Sequence, residues 1–279
     1  MTDPPPVRTR AVETSACVGE VRDQGAQVTR WSPGDAEPVL YLSRTAHDEP
    51  GRPVRGGVPV CWPWFGPGRG GALEPMHGFV RTAPWQLVEE SAHDDTTTFV
   101  YRVTSETASS PHWPFRYAVQ LRSTLGQELE IALTTTNLSE EPFDYEEALH
   151  AYLVVGDVRR VSIDGLGGKS FFDKVSGTER EQGGPLTFTD ETDAVFRTSD
   201  PVTVHDPVLG RRLVITTEGA SNIVVWNPWE AKAADIEDLP DDDWTRFVCI
   251  EGANALDNAV ALAPGESHTM TYRLAVEGP

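Results

Sequence analysis

The stretch Thr96–Ser105, TTTFVYRVTS, alternates apolar and polar side chains and decides the fold class. Its Phe99, Tyr101 and Val103 fall on one face of an extended chain, whereas Arg102 falls on the other. A period of two residues kept over this length predicts a β-strand with one buried face.

The alternation recurs on both sides of a turn at Gly126-Gln127. The apolar positions are Tyr117, Val119 and Leu121 before the turn and Leu129, Ile131 and Leu133 after it. Two such segments joined by a short turn predict an antiparallel hairpin. No long segment has a helical period, and 24 glycines and 22 prolines are available for turns. The sequence therefore predicts an all-β fold, a large antiparallel β-sandwich.

Length and composition predict one domain. The chain has 279 residues, of which 39% are hydrophobic, enough for a sizeable core. Residues 1–10 are rich in proline and polar side chains, which predicts a flexible lead-in. No linker composition interrupts residues 11–279, which we expect to form a single β-sandwich domain.

The charge limits the partners. Lys and Arg number 23 against 43 Asp and Glu, a formal net charge of -20. Such a chain repels nucleic acids and anionic membranes, so neither is an expected partner. The N-terminus does not have the pattern of a signal peptide and the sequence has no long apolar run, so we expect a cytoplasmic protein. We also expect a monomer or a weak dimer. Three cysteines without a spacing pattern argue against a disulfide framework and a zinc site, so no metal is expected. Any anionic ligand would need a local cluster of basic side chains.

Unusual side chains concentrate in a few segments. They are RGGVPVCWPWFG (55–66), HGFVR (77–81), EEALHAY (146–152), WNPW (226–229) and FVCIEGAN (247–254). In the first, an aromatic side chain such as Trp64 could stack on the apolar face of a pyranose, or could belong to the core. In the last, Glu251 ends an apolar run, where a buried carboxylate suits a general base; the alternative is a strand-end Glu in water.

These segments, in this order and with WPFRYAVQL (113–121) and TDAVF (192–196), resemble the aldose 1-epimerase superfamily. Within it they are most similar to the glucose-6-phosphate 1-epimerase-like (D-hexose-6-phosphate mutarotase) branch, over roughly residues 40 to 275. The resemblance implies a galactose mutarotase-like supersandwich, in agreement with the predicted strands. It also implies interconversion of the α and β anomers of an aldose through ring opening, without a cofactor.

The resemblance also implies roles for individual residues. His150 would be the acid that protonates the ring oxygen, and Glu251 the base that takes the proton of the anomeric hydroxyl. His77 would hydrogen-bond the substrate, and Asp193 would hold sugar hydroxyls.

Recognition of a phosphate would fall to arginines, whose planar guanidinium suits bidentate contact with phosphate oxygens. The branch has basic residues in its first two segments, which correspond here to Arg55 and Arg81. Arg69 in the loop GPGRGG is a further candidate. Each of these arginines could instead pair with an acidic side chain.

Three functions remain open from the sequence. The first is a mutarotase for glucose 6-phosphate or a related aldohexose 6-phosphate, and the second is a mutarotase for unphosphorylated aldoses. The third is a non-catalytic carbohydrate-binding protein on the same fold. Arg55 and Arg81 favour the first over the second. A binding protein would have no need for an acid and a base, which we expect on opposite sides of one pocket.

Overall fold

The structure, a computed structural model, describes residues 7–278. These residues form 22 strands, and every pairing between strands is antiparallel, which confirms the predicted all-β class. The strands in chain order are β1 (Thr9–Glu13), β2 (Cys17–Arg22), β3 (Val28–Pro33), β4 (Val60–Cys61), β5 (Gln86–His93), β6 (Thr96–Thr104), β7 (Tyr117–Leu125), β8 (Leu129–Asn137), β9 (Phe143–Tyr145), β10 (Glu147–Leu149), β11 (Tyr152–Val154), β12 (Ser162–Asp164), β13 (Ser170–Asp173), β14 (Thr178–Glu181), β15 (Leu186–Thr187), β16 (Thr192–Phe196), β17 (Val202–Asp206), β18 (Arg211–Glu218), β19 (Asn222–Asn227), β20 (Phe247–Asn254), β21 (Val260–Leu262) and β22 (Ser267–Glu277).

Helical structure is short. The α-helix α1 covers Trp229–Ala233, and single 3₁₀ turns cover Val80–Thr82, Val158–Arg160, Asp243–Arg246 and Leu256–Asn258. Among the described residues, no helix has the length and apolar character needed to cross a membrane.

Two large sheets make the sandwich. One has nine strands in the order β15-β12-β17-β18-β22-β8-β7-β6-β5. The other has the order β14-β13-β16-β19-β20-β10-β4, with β11 also paired to β20. A three-stranded sheet, β1-β2-β3, and the pair β21-β9 complete the fold.

The alternation seen in the sequence sets the faces of the nine-stranded sheet. Phe99, Tyr101 and Val103 of β6 are buried, while Arg102 between them is exposed. The hairpin predicted around Gly126 is confirmed, because β7 and β8 pair from Leu125 opposite Leu129 onward. One hydrophobic core runs between the sheets and extends along the chain from Val12 to Leu274.

Strand β20 is fixed from behind by the facing sheet. The Tyr272 hydroxyl on β22 donates a hydrogen bond to the carbonyl of Ile250 at 3.0 Å. At Gly252 a side chain would meet Thr217 Cγ2 at 2.9 Å, so glycine lets the two sheets approach here. Glu251 lies between Ile250 and Gly252 on β20, and it therefore lies on a rigid part of the sheet.

The N-terminal boundary differs from the predicted one. Strand β1 begins at Thr9, two residues before the predicted start of the domain at residue 11, and pairs with β2 along its length. Residues 1–6 of the predicted lead-in lie outside the described residues.

Candidate active site

Cross-strand register assembles one pocket on the outer face of the eight-stranded sheet. Asp193 on β16 lies opposite Trp226 on β19, and Glu251 on β20 lies opposite Val224 of the same β19. Because directly opposed residues point to the same face, their side chains gather on one side. His150 follows β10, whose Leu149 pairs with Gly252. Neighbouring strands thus bring together residues that are far apart in the sequence.

The pocket has a volume of about 270 Å³. Its lining comprises Arg55, Phe65, Met76, His77, Arg81, His150, Tyr152, Lys174, Asp193, Trp226, Lys232 and Glu251. Six of the eight predicted site residues therefore share one cavity: His150, Glu251, His77, Asp193, Arg55 and Arg81.

His150 and Glu251 are in direct contact. His150 Nε2 lies 3.3 Å from Glu251 Oε1, and the two side chains are 9% and 1% exposed. The expectation that the acid and the base would lie on opposite sides of the pocket is wrong, because β10 and β20 are neighbours in the sheet. Glu251 Oε2 and His150 Nδ1 have no hydrogen-bond partner among the described residues.

Burial sets the protonation of this pair. It lowers the pKa of His150 well below its ordinary value, and the positive charges of Arg81 and Arg55 act in the same direction. Burial raises the pKa of Glu251 well above its ordinary value, with a further contribution from the Asp193 carboxylate. Two coupled groups this close titrate as a unit and share a proton.

Aromatic rings hold the His150 imidazole. The Tyr152 ring stacks on it with 4.8 Å between centroids and 11° between planes. Trp226 meets it edge-on at 5.8 Å. These two contacts restrict rotation of the imidazole ring and keep its Nε2 directed at Glu251.

His77 sits beside the pair in a strained turn. Its φ of 66° is left-handed, and Gly78 follows with a φ of 74°. A side chain at 78 would come within 1.8 Å of the Trp62 carbonyl oxygen, so only glycine fits there. Gly66 N–H donates to His77 Nδ1 at 3.3 Å. Burial lowers the pKa of His77 well below its usual range, so the neutral ring keeps its proton on Nε2, as a donor for a ligand oxygen.

The two predicted phosphate-binding arginines both line the pocket but differ in their partners. Arg55 contacts Asp238 through Nε at 3.1 Å and Nη2 at 2.9 Å, and its Nη1 donates to the Tyr152 hydroxyl at 3.2 Å. Arg81 donates to the carbonyl of Met76 at 2.7 Å. Across residues 7–278, no carboxylate lies within 4.0 Å of the Arg81 guanidinium.

Sequence reasoning missed two cations of the pocket, Lys174 and Lys232. Lys174 follows β13, and its Nζ lies 3.1 Å from Asp193 Oδ2 and 4.9 Å from the Phe65 ring centroid. Lys232 on α1 contacts Glu191 Oε1 at 2.6 Å. The chain contains only three lysines, and two of them line this cavity. That scarcity is the signal that could have identified them.

Two predicted site residues, Trp64 and Arg69, lie outside the pocket. The Trp64 side chain is buried in the core against Phe79, and its indole N–H donates to the Pro75 carbonyl at 2.9 Å. Arg69 stands in an exposed loop and pairs with Asp144. Both are corrections to the predicted site, and the aromatic wall is supplied by Phe65, Tyr152 and Trp226 instead.

The chain matches known proteins over most of its length. The sequence profile of the family described as Aldose 1-epimerase matches residues 12–275. A relative from Escherichia coli (strain K12) named "Putative glucose-6-phosphate 1-epimerase" is 37% identical over 235 residues, which cover 83% of this chain and 78% of that protein.

Solved structures are similar as well. A crystal structure described as "a putative mutarotase (YeaD)" from Salmonella typhimurium superposes with a TM-score of 0.89 at 31% identity, covering 98% of this chain and 92% of that one. A galactose mutarotase-like protein from Lactobacillus casei has a TM-score of 0.74 at 15% identity, covering 97% of this chain and 100% of that one. The second likeness concerns the fold alone and agrees with the predicted supersandwich. By its sequence over residues 12–275, this chain belongs to the aldose 1-epimerase family.

Proposed function

We propose that this protein is a mutarotase that interconverts the α and β anomers of an aldohexose 6-phosphate, with glucose 6-phosphate as the first candidate. The observation that carries the proposal is the charge of the pocket. Four cationic side chains line it, Arg55, Arg81, Lys174 and Lys232, against the two acids Asp193 and Glu251, in a chain whose net charge is -20. A local cationic site in an acidic protein suits an anionic ligand.

The proposed reaction uses the contact between His150 and Glu251. Glu251 accepts the proton of the anomeric hydroxyl, the C1–O5 bond breaks with its electron pair going to O5, and His150 Nε2 gives O5 a proton. The open-chain aldehyde then turns about C1–C2. O5 attacks the other face of C1 while its proton returns to His150, and Glu251 returns its proton to O1. The pair carries one proton throughout.

Rigid placement of both groups supports this chemistry. A sugar whose O1 and O5 lie against the pair needs an acid and a base a few ångströms apart, as the 3.3 Å contact provides. Each proton transfer by a positioned group contributes typically ~10²–10⁴-fold. His77 and Asp193, the latter held by Lys174, are proposed to bind ring hydroxyls.

Arg81 is the strongest candidate for phosphate recognition, since it reaches the pocket without a carboxylate partner among the described residues. Arg55 can share its guanidinium between Asp238 and a ligand. The name of the Escherichia coli relative points to the same substrate.

A second candidate is a mutarotase for unphosphorylated aldoses. It is favoured by the ion pairs that Arg55, Lys174 and Lys232 make with Asp238, Asp193 and Glu191, which already compensate three of the four cations. A non-catalytic sugar-binding role is disfavoured, since binding alone gives no reason for a buried His–Glu contact.

Exchange NMR between anomers separates these functions. Glucose 6-phosphate and glucose are each followed with and without the protein at matched pH and buffer. The proposal expects acceleration of the phosphosugar at much lower substrate concentration than of the free sugar. Equal acceleration of both would favour the second candidate, and no acceleration of either would remove the catalytic proposal.

A further inference from the structure

Arg55 is the more firmly held of the two arginines that line the pocket. Its Nε and Nη2 donate to one oxygen of Asp238, Oδ1, at 3.1 and 2.9 Å, and its Nη1 donates to the Tyr152 hydroxyl at 3.2 Å. Among the described residues, Arg81 makes a single side-chain hydrogen bond, to the carbonyl of Met76. The plane of the Arg55 guanidinium is therefore set by its neighbours before any ligand binds.

Asp238 is itself fixed from outside the pocket. It lies in the loop between α1 and the 3₁₀ turn Asp243–Arg246, and its side chain is 8% exposed. Ser43 joins it to Arg55, because the Ser43 hydroxyl donates to the Asp238 carbonyl at 2.7 Å and the Ser43 N–H donates to the Arg55 carbonyl at 3.0 Å. The next residue, Leu239, is buried in the core. Asp238 thus meets Arg55 from a fixed place, and it does not line the cavity.

The contacts with Asp238 and Tyr152 leave part of the guanidinium available. An arginine has five N–H donors, one on Nε and two on each terminal nitrogen. Asp238 takes the Nε donor and one donor of Nη2, and Tyr152 takes one donor of Nη1. One donor on each terminal nitrogen remains, on a side chain that lines the pocket. Two donors on neighbouring nitrogens suit two oxygens of one phosphate.

We propose that Asp238 is a positioning residue for substrate specificity, whose Oδ1 fixes the Arg55 guanidinium so that its two remaining donors meet the phosphate of a 6-phosphosugar. The inference rests on the proposed function and assigns a role to a residue outside the pocket. An arginine that is already held loses little conformational freedom when an anion binds, whereas a free one must be ordered. Ordering one long side chain corresponds to about threefold to tenfold in affinity.

The negative charge of Asp238 acts in the opposite direction. A carboxylate beside Arg55 offsets part of its charge and so weakens its attraction for an anion. Positioning and charge compensation therefore predict changes of opposite sign in KM when the carboxylate is removed. Asparagine separates the two effects, because it keeps an oxygen acceptor and loses the charge. Asp238 Oδ2 makes no hydrogen bond with the described residues, so the amide NH₂ of asparagine can stand in its place.

The experiment measures kcat and KM for glucose 6-phosphate by exchange NMR in the parent protein, Asp238→Ala and Asp238→Asn. In Asp238→Ala we expect KM to rise about threefold to tenfold with kcat unchanged, because binding shared by substrate and transition state is lost. Turnover is kept since the Tyr152 ring, which stacks on His150, is also packed against Trp226 and Phe247. Asp238→Asn should keep KM close to that of the parent protein, because its amide oxygen can accept both hydrogen bonds.

A double-mutant cycle ties the effect to Arg55. Arg55→Ala should raise KM as well, and adding Asp238→Ala to it should raise KM no further, because no guanidinium is left to position. Glu237→Ala is the matched control in the same loop, since Glu237 is exposed and contacts Arg52 at 3.6 Å, and it should leave KM unchanged. Thermal unfolding checks the fold of each variant. Asp238→Ser, whose shorter side chain cannot reach Arg55, replaces Asp238→Ala if the alanine variant is unstable.

An unchanged KM in Asp238→Ala would overturn the inference, and so would a lower one, which would mean that the carboxylate competes with the phosphate. A KM in Asp238→Asn as high as in Asp238→Ala, or effects of Asp238→Ala and Arg55→Ala that add, would also contradict it. In these cases turnover of glucose 6-phosphate by the parent protein leaves the proposed function standing. No turnover of glucose 6-phosphate by the parent protein would overturn both.

Discussion

His150 Nε2 and Glu251 Oε1 approach to 3.3 Å across two neighbouring antiparallel strands, and each group is almost fully buried. Burying an acid and a base lowers the stability of the fold, because unpaired polar atoms inside a protein are destabilising. One further oxygen and one further nitrogen of the pair lack partners among the described residues. In the proposed reaction the contacts with sugar oxygens are made by Glu251 and by His150 Nε2, the ring nitrogen that lies beside it.

Replacing Glu251 with Gln should remove the proposed base while keeping the shape of the side chain. We expect kcat for mutarotation to fall by about 10²-fold or more, with a thermal midpoint close to that of the parent protein. Exchange NMR and thermal unfolding, measured on the same sample, check this. Activity within threefold of the parent would mean that Glu251 is not the base.

Replacing His150 with Ala should remove the proposed acid, with a loss of turnover of similar size, about 10²-fold or more. Imidazole added to the buffer is a useful control, because it can enter the space that the side chain leaves. Unchanged kcat in the variant would assign ring-oxygen protonation to another group.

Replacing Arg81 with Ala should weaken binding of a phosphosugar selectively. We expect KM for glucose 6-phosphate to rise about tenfold or more, the usual order for losing a charge-assisted contact, while turnover of free glucose does not fall. Arg69→Ala is the matched control, since Arg69 pairs with Asp144 outside the pocket. Equal losses on both sugars would count against phosphate recognition by Arg81.

The pH profile of the Arg81→Ala variant tests how the positive charge of Arg81 affects the protonation of His150 and Glu251. After burial, Arg81 is the next largest cause that lowers the pKa of His150, and it also lowers that of Glu251. Removing it raises the pKa at which the pair loses its shared proton, so the alkaline limb of kcat/KM for free glucose should move to higher pH. A limb that stays in place or moves to lower pH would contradict this sign.

Glu146, which directly precedes β10, offers a test of stability. Its Oε1 accepts from Leu256 N–H at 2.7 Å and its Oε2 from Phe65 N–H at 3.1 Å. Glu146→Gln turns one acceptor into a donor that faces an N–H group, which should lower the free energy of unfolding by roughly 1–3 kcal/mol. Urea unfolding measures it, with the exposed Glu141→Gln as control; equal stability of both variants would show that the two contacts contribute little.

The sequence predicted the strands well because their side chains alternate. Where both faces of a strand are buried, as in Ile223–Val225, alternation vanishes and only the apolar run remains as a signal. The proposed acid and base were recognisable from the resemblance to the aldose 1-epimerase superfamily, and Glu251 also from its place at the end of an apolar run. Their direct contact was not, since it depends on which strands become neighbours in the sheet.

Other parts of the site depend on local backbone detail. Trp64 and Phe65 are adjacent in the sequence, and in an extended segment adjacent residues point to opposite sides, so choosing between them needs the register. Here Phe65 faces the pocket and Trp64 the core. Lys174 reaches the pocket only through the pairing of β13 with β16, which no local pattern predicts.

The measurement that tests the central claim most directly is the rate of anomer exchange in glucose 6-phosphate with the parent protein and with Glu251→Gln at equal concentration. The account predicts strong acceleration by the parent protein and loss of nearly all of it in the variant. No acceleration by a correctly folded parent protein, or equal acceleration by both, would contradict it.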